Sequence, residues 1–129
     1  MSYLLDSDII IFFLRNQTNT INLVSKLSTQ QIFTSVICIG EVNQGFLYPK
    51  FKTYQKKFNQ FLKNIKIKDV NQKIMIRFSK VRHELKKRGQ KIEDLDLIIA
   101  ATCIENDLTL VTNNQKHFSR IPDLKIYQQ

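Results

Sequence analysis

The 129-residue chain has no Trp and only 3 Gly, 2 Pro and 2 Cys. With so few backbone-loosening residues and 43% hydrophobic side chains, it is neither a low-complexity nor a disordered segment, and it has apolar mass for one sizeable core. Residues 1–129 are therefore read as a single domain. Long apolar runs are missing too. The longest, IIIFFL at 9–14, is far short of the roughly 20 residues a membrane-spanning helix needs. Asp6 and Asp8 stand where a secretory leader would be positive, so a cytoplasmic location and no membrane partner are expected. Cys38 and Cys103 form no CxxC pair and fall on apolar segments, which favours buried, reduced thiols over a disulfide. Two His and two scattered Cys do not make a usual zinc set. The absence of a GxxxxGK[ST] loop argues against nucleotide hydrolysis of the P-loop kind.

Acid is the scarcer charge, 11 Asp and Glu against 20 Lys and Arg, for a net charge of +9. The excess is local. Residues 50–90 hold 14 Lys and Arg against Asp69 and Glu84, whereas the rest of the chain holds 6 bases and 9 acids. Single lysines such as Lys56 or Lys57 are ordinary solvated helix faces, but so one-sided a block sets up a positive field that favours a polyanion such as nucleic acid.

Apolar spacing gives alternating strands and helices. YLL at 3–5 reads as a short strand ending at Asp6, with Ser7 expected to cap a helix carrying Ile9 to Leu14. Ile21, Val24 and Leu27 share a helical face, and QIFT, ending at 34, reads as a strand. Ser35 is expected to cap a helix to about Phe46. Apolar positions 51, 54, 58, 61, 62 and 65 predict a helix with lysines opposite. A second long helix buries Ile74, Phe78, Val81 and Leu85; Lys86, Lys87 and Arg88 complement its negative end and Gly89 stops it. A helix from about Asp94 to Asn106, a buried strand LTLVT at 108–112 and a last strand LKIY at 124–127 complete the pattern. This order predicts an α/β sandwich around a mainly parallel sheet, whose ligands bind beyond the carboxyl ends of the strands.

In KIEDLDLIIAAT, Asp96 lies among core residues and away from the polar face marked by Thr102, Glu105 and Asn106, so it is expected to point inward. Glu41 likewise sits mid-helix among Ile37, Cys38 and Gly45, and Asp6 ends a central strand. First-turn dipole stabilisation, worth about 0.3–1 kcal/mol, is an alternative explanation for Asp96 but not for Glu41. Several inward carboxylates repel one another unless a cation lies between them, and hard divalent ions take oxygen ligands. Acids for a metal and bases for a phosphate backbone together fit a nuclease.

LLDSDIIIFFLR, SVICIGEVNQGF, RHELKKRGQKIEDLDLIIAATCIENDLTLVTNNQKHF and RIPDLKIY together resemble the PIN domain, and within it the VapC toxins of toxin–antitoxin pairs. The resemblance covers nearly the whole chain. It implies a PIN-like three-layer α/β/α sandwich and a Mg²⁺-dependent endoribonuclease, with Mn²⁺ a possible substitute, cutting RNA and held by a cognate antitoxin. The family's three acids match Asp6, Glu41 and Asp96, and its fourth acidic position matches Asn114, an amide that adds no charge. Thr112 matches the hydroxyl that steadies the cluster; Ser7 replaces a commoner Thr, and Asp8 replaces a commoner Asn. Ser35 is a further supporting residue, and Arg15, Arg82, Lys86, Lys87 and Arg88 are the candidate RNA-contacting cations. His117, in the family's HF pair, is expected to pack and hydrogen-bond rather than catalyse, and His83 to be solvated. A homodimer would suit the apolar helices near both ends. The competing readings are a PIN-fold RNA-processing nuclease without an antitoxin and a non-catalytic basic RNA-binding module.

Overall fold

A computed structural model describes residues 1–129. The chain runs β1 (Ser2–Leu5), α1 (Ser7–Leu14), α2 (Thr18–Leu27), β2 (Gln31–Ser35) and α3 (Val36–Gly45). A 3₁₀ segment (Pro49–Tyr54) then leads into α4 (Gln55–Leu62), β3 (Lys66–Lys68), α5 (Gln72–Lys87), α6 (Asp94–Glu105), β4 (Thr109–Val111) and α7 (Gln115–Phe118). The four strands form one sheet in the order β3-β2-β1-β4. All pairings are parallel; Leu4 lies opposite Phe33 on β2 and Leu110 on β4.

Side chains alternate across β1, and the core divides accordingly. Tyr3 and Leu5 pack on one face against Ile9, Ile10, Leu14, Val24 and Leu27 of α1 and α2 and Phe58 and Phe61 of α4. Leu4 packs on the other against Val81 and Leu85 of α5 and Leu97, Ile99, Ala100 and Cys103 of α6. This is the expected three-layer α/β/α sandwich. Helix α3 serves both faces, Cys38 entering one cluster and Val42 and Phe46 the other. A helix so placed has no wide polar side, which is why Glu41 is drawn inward.

Three local expectations change. Asp6, not Ser7, caps α1: its backbone is extended and its carboxylate accepts the Ser7 N–H at 2.8 Å. The predicted helix over 51–65 is instead the end of the 3₁₀ turn opened by Pro49 followed by the shorter α4, which stops at Leu62 ahead of the edge strand β3. LKIY contributes only a single parallel bridge, Ile126 to Leu110, although Leu110 exchanges backbone hydrogen bonds with Lys125 and Tyr127. The α5 terminus follows expectation. Gly89 has φ +67°, and the Gly89 and Gln90 N–H groups donate to Lys86 and Leu85 carbonyls at 3.0 and 2.9 Å, a Schellman closure.

The chain leaves β1 toward β2 on one side and reaches β4 on the other, so strand order reverses between β1 and β4. The crevice beyond the carboxyl ends of these two strands is where a parallel sheet places a ligand. No helix is long and apolar enough to cross a membrane.

Candidate metal centre

Asp6 follows directly after β1, and its N–H continues the ladder to the Val111 carbonyl at 3.0 Å. The residue is 6% exposed. One oxygen takes the Ser7 N–H; the other accepts the Thr112 hydroxyl at 2.8 Å from the end of β4. Thr112 is itself buried and accepts the Asn114 N–H at 3.1 Å. The hydroxyl thus ties the ends of β1 and β4 at the point where strand order reverses.

Around Asp6 stand Asp8 from the first turn of α1 and Glu41 from α3. Asp8 Oδ2 accepts the Asn113 N–H at 3.1 Å. Its other oxygen and Oε1 of Glu41 are buried and have no hydrogen-bond partner. Such orphaned acceptors cost free energy unless something electropositive meets them. Burial, then the charge of Asp8, pushes the Asp6 carboxyl up to about 7, against the Thr112 and Ser7 hydrogen bonds. Burial also raises Asp8 above the usual carboxylate range, and Glu41 in the same direction against the neighbouring Ser7 hydroxyl. Asp96 adds to both through its charge, which places the fourth carboxylate in the same field.

Ligand atoms of Asp6, Cys38 and Glu41 lie within 4.8 Å of one another. The Cys38 sulfur is 4.0 Å from Asp6 Oδ1. Burial, followed by the Asp6 charge, raises its thiol, so the sulfur stays protonated as a weak donor and not a thiolate ligand. What remains is an all-oxygen carboxylate set with two unsatisfied oxygens, the donor chemistry of a hard divalent cation. Cys38 and Cys103 are both free and buried, as expected.

Asp96, in the first turn of α6, is half-buried and meets His117 of α7, with Oδ2 3.0 Å from Nε2. Asn114 precedes α7 with an exposed side chain that makes no capping bond. Ser35 is buried and accepts the Ile37 N–H at 3.0 Å, the capping role expected of it. Thr102 does not mark a polar face: it is fully buried, its hydroxyl donating to the Ile98 carbonyl at 2.7 Å.

The basic candidates separate. Lys86, Lys87 and Arg88 are exposed at the end of α5, and Arg82 donates to Asp94 at 3.1 Å. Arg82 and Lys86 line a cavity of about 640 Å³ between α5 and the start of α6. Arg15 is elsewhere, at the far end of α1 from Asp6, its guanidinium 4.7 Å from the Phe51 ring centroid. His83 is exposed, as expected. Residue spacing carries no sign of Cys38 beside Asp6 or of the contact between His117 and Asp96. The HF pair alone marks His117, and its partner lies 21 residues away.

The fold is a parallel α/β sandwich that gathers carboxylates where its strand order reverses. The chain belongs to the PIN domain family, whose model matches residues 3–124. It is 35% identical over 129 residues to Ribonuclease VapC2 of Rickettsia felis, a match covering 96% of this chain and 95% of that protein. Among solved structures it resembles VapBC2 from Rickettsia felis bound to a promoter DNA fragment, with TM-score 0.92, 31% identity and coverage of 100% and 99% of the two chains. VapBC-1 from nontypeable Haemophilus influenzae is similar, with TM-score 0.85, 26% identity and coverage of 99% and 98%.

Proposed function

We propose that this chain is a metal-dependent endoribonuclease and the toxin of a VapBC-like toxin–antitoxin pair. The observation that carries the reading is the convergence of Asp6, Asp8, Glu41 and Asp96 with two buried carboxylate oxygens lacking any partner. Asp6, Glu41 and Asp96 are the proposed ligands, with Asn114 offering an amide oxygen at the edge and Asp8 either ligating or hydrogen-bonding. Mg²⁺ is the cation such oxygens favour, with Mn²⁺ as a substitute. Bound there, it supplies Lewis-acid stabilisation of a phosphodiester and acidifies the attacking water. The chain's own residues orient that chemistry. Thr112 fixes one Asp6 oxygen, the Asn113 N–H fixes one Asp8 oxygen, and Ser35 holds the first turn of α3 that carries Glu41. Lys86, Lys87 and Arg88 hold the RNA backbone by charge, with Arg82 at the neighbouring cavity.

The VapBC likenesses support a cognate antitoxin as partner, and so does an apolar surface formed by α1, α3 and the 3₁₀ segment. Leu47 and Tyr48 are 82% and 59% exposed beside a cavity of about 200 Å³ lined by Ile11, Leu14, Phe46, Phe51 and Tyr54, with Arg15 at its edge. Arg15, a candidate RNA contact, lines this cavity as well. A homodimer is the further assembly proposed.

The test is purified, partner-free protein incubated with total RNA, with and without Mg²⁺. Cleavage is expected only with the cation. Asp6→Asn, Glu41→Gln and Asp96→Asn are each expected to slow it by about a hundredfold or more, since metal stabilisation is worth several kcal/mol. Cleavage by Asp96→Asn at the parent rate would remove the reading.

A further inference from the structure

His117 and Arg120 form a chain of hydrogen bonds that ends on Asp96. The Arg120 guanidinium lies 3.0 Å from His117 Nδ1, and His117 Nε2 lies 3.0 Å from Asp96 Oδ2. A guanidinium has donors only, so Nδ1 must accept. The imidazole hydrogen is then on Nε2, the atom that faces the carboxylate. The contact to Asp96 is thus a donated N–H bond that requires no charge on the ring.

Arg120 is itself tied at two further points, donating to the His117 carbonyl at 3.3 Å and to the Lys91 carbonyl at 3.5 Å. It joins the end of α7 to the loop that enters α6, the helix bearing Asp96. Phe118, 1% exposed, anchors α7 in the core directly after His117. The ring therefore approaches Asp96 from a fixed support. His117 and Asp96 side chains are 21% and 23% exposed, so the bond is shielded from bulk water without being sealed.

We propose that His117 and Arg120 are positioning residues of the metal centre: together they hold one oxygen of Asp96 and leave the other as its ligand atom. The proposal rests on the reading of Asp96 as a ligand given above. Neither residue touches the reacting atoms; both act through the orientation of one carboxylate. An outer hydrogen-bond partner of this kind typically changes metal affinity by roughly tenfold to a hundredfold when it is removed.

Two measurements test this. In the metal-free protein, the imidazole nitrogen shifts of His117 in an NMR spectrum should report the hydrogen on Nε2, and Arg120→Ala should redistribute it between the nitrogens. In calorimetric titrations with Mg²⁺, His117→Ala should bind about tenfold more weakly or worse. His117→Gln, whose amide N–H reaches to about the Nε2 position, should recover most of the affinity, and RNA cleavage by His117→Ala should return toward the parent kcat at saturating Mg²⁺. A hydrogen on Nδ1 in the parent, or parental Mg²⁺ affinity in His117→Ala, overturns the proposal. If His117→Ala fails to fold, Arg120→Ala and His117→Gln decide it: unchanged affinity in the first together with full loss in the second contradicts the relay. Asp96→Asn separates the two levels. Should it keep both affinity and cleavage, the ligand reading falls; should it lose both while His117→Ala loses neither, only the positioning role falls.

Discussion

Asp6 carries the largest electrostatic burden among the acids. Its carboxyl is held near 7 in the folded, metal-free chain against an ordinary value of 3.8, so between those values the folded state binds the extra proton. Stability from this group is complete below the ordinary value and is lost as pH rises through about 7, at up to about 1.4 kcal/mol per pH unit. Asp8 and Glu41 shift in the same direction. The melting temperature of metal-free protein should therefore fall from mildly acidic to mildly alkaline pH. Added Mg²⁺ should restore it, most at the alkaline end, because carboxylates must be ionised to ligate. Thermal melts across that range check both signs, and a melting temperature that rises with pH would place the buried charges elsewhere. Asn114 lends itself to a residue-scale test as well. An amide oxygen supplies a dipole where a carboxylate would supply charge, so Asn114→Asp should tighten Mg²⁺ binding in the absence of RNA, and Asn114→Ala should slow cleavage less than Asp96→Asn. Equal affinity in parent and Asn114→Asp, read by calorimetry, would put position 114 outside the site.

Among the elements, α5 joins fold to function most visibly. Of its buried stripe of Ile74, Val81 and Leu85, the last two residues join the core cluster with Leu4, Phe33 and Leu110 of the sheet, while its end presents Lys86, Lys87 and Arg88 to solvent beside the cavity leading to α6. Reversing these three to Glu should weaken RNA binding and flatten its salt dependence by about three phosphate contacts or fewer, without moving the cleavage position or Mg²⁺ affinity. An unchanged salt slope would make them an ordinary helix end. Such stripes are why α5, and with it most of the fold, could be read from the chain: apolar spacing and the Gly89 stop are local signals. The same locality made Glu41 and Asp96 visible, because a carboxylate among Ile37 and Cys38, or among Leu95, Leu97 and Ile99, contradicts its own helix. Other features were not local. Strand β3, KIK, is exposed and basic and gains strand character only by pairing with β2. The Thr112 hydroxyl bond to Asp6 and the His117 contact depend on groups brought together by the chain's return to β4 and α7.

At the scale of the whole molecule, acids and bases have separate places. The net charge of +9 attracts a polyanion, yet the carboxylates sit at the strand ends, the proposed place of cleavage, and unneutralised they would repel it. A cation in the acid cluster resolves that conflict and meets the two orphaned oxygens of Asp8 and Glu41. The most direct measurement is calorimetric titration of Mg²⁺ into metal-free protein at mildly alkaline pH, for the parent and for Glu41→Gln. Saturable binding by the parent, weakened about tenfold or more in Glu41→Gln, is the expected result. No binding by the parent, or the same affinity in both, would contradict the assignment of these carboxylates to a metal.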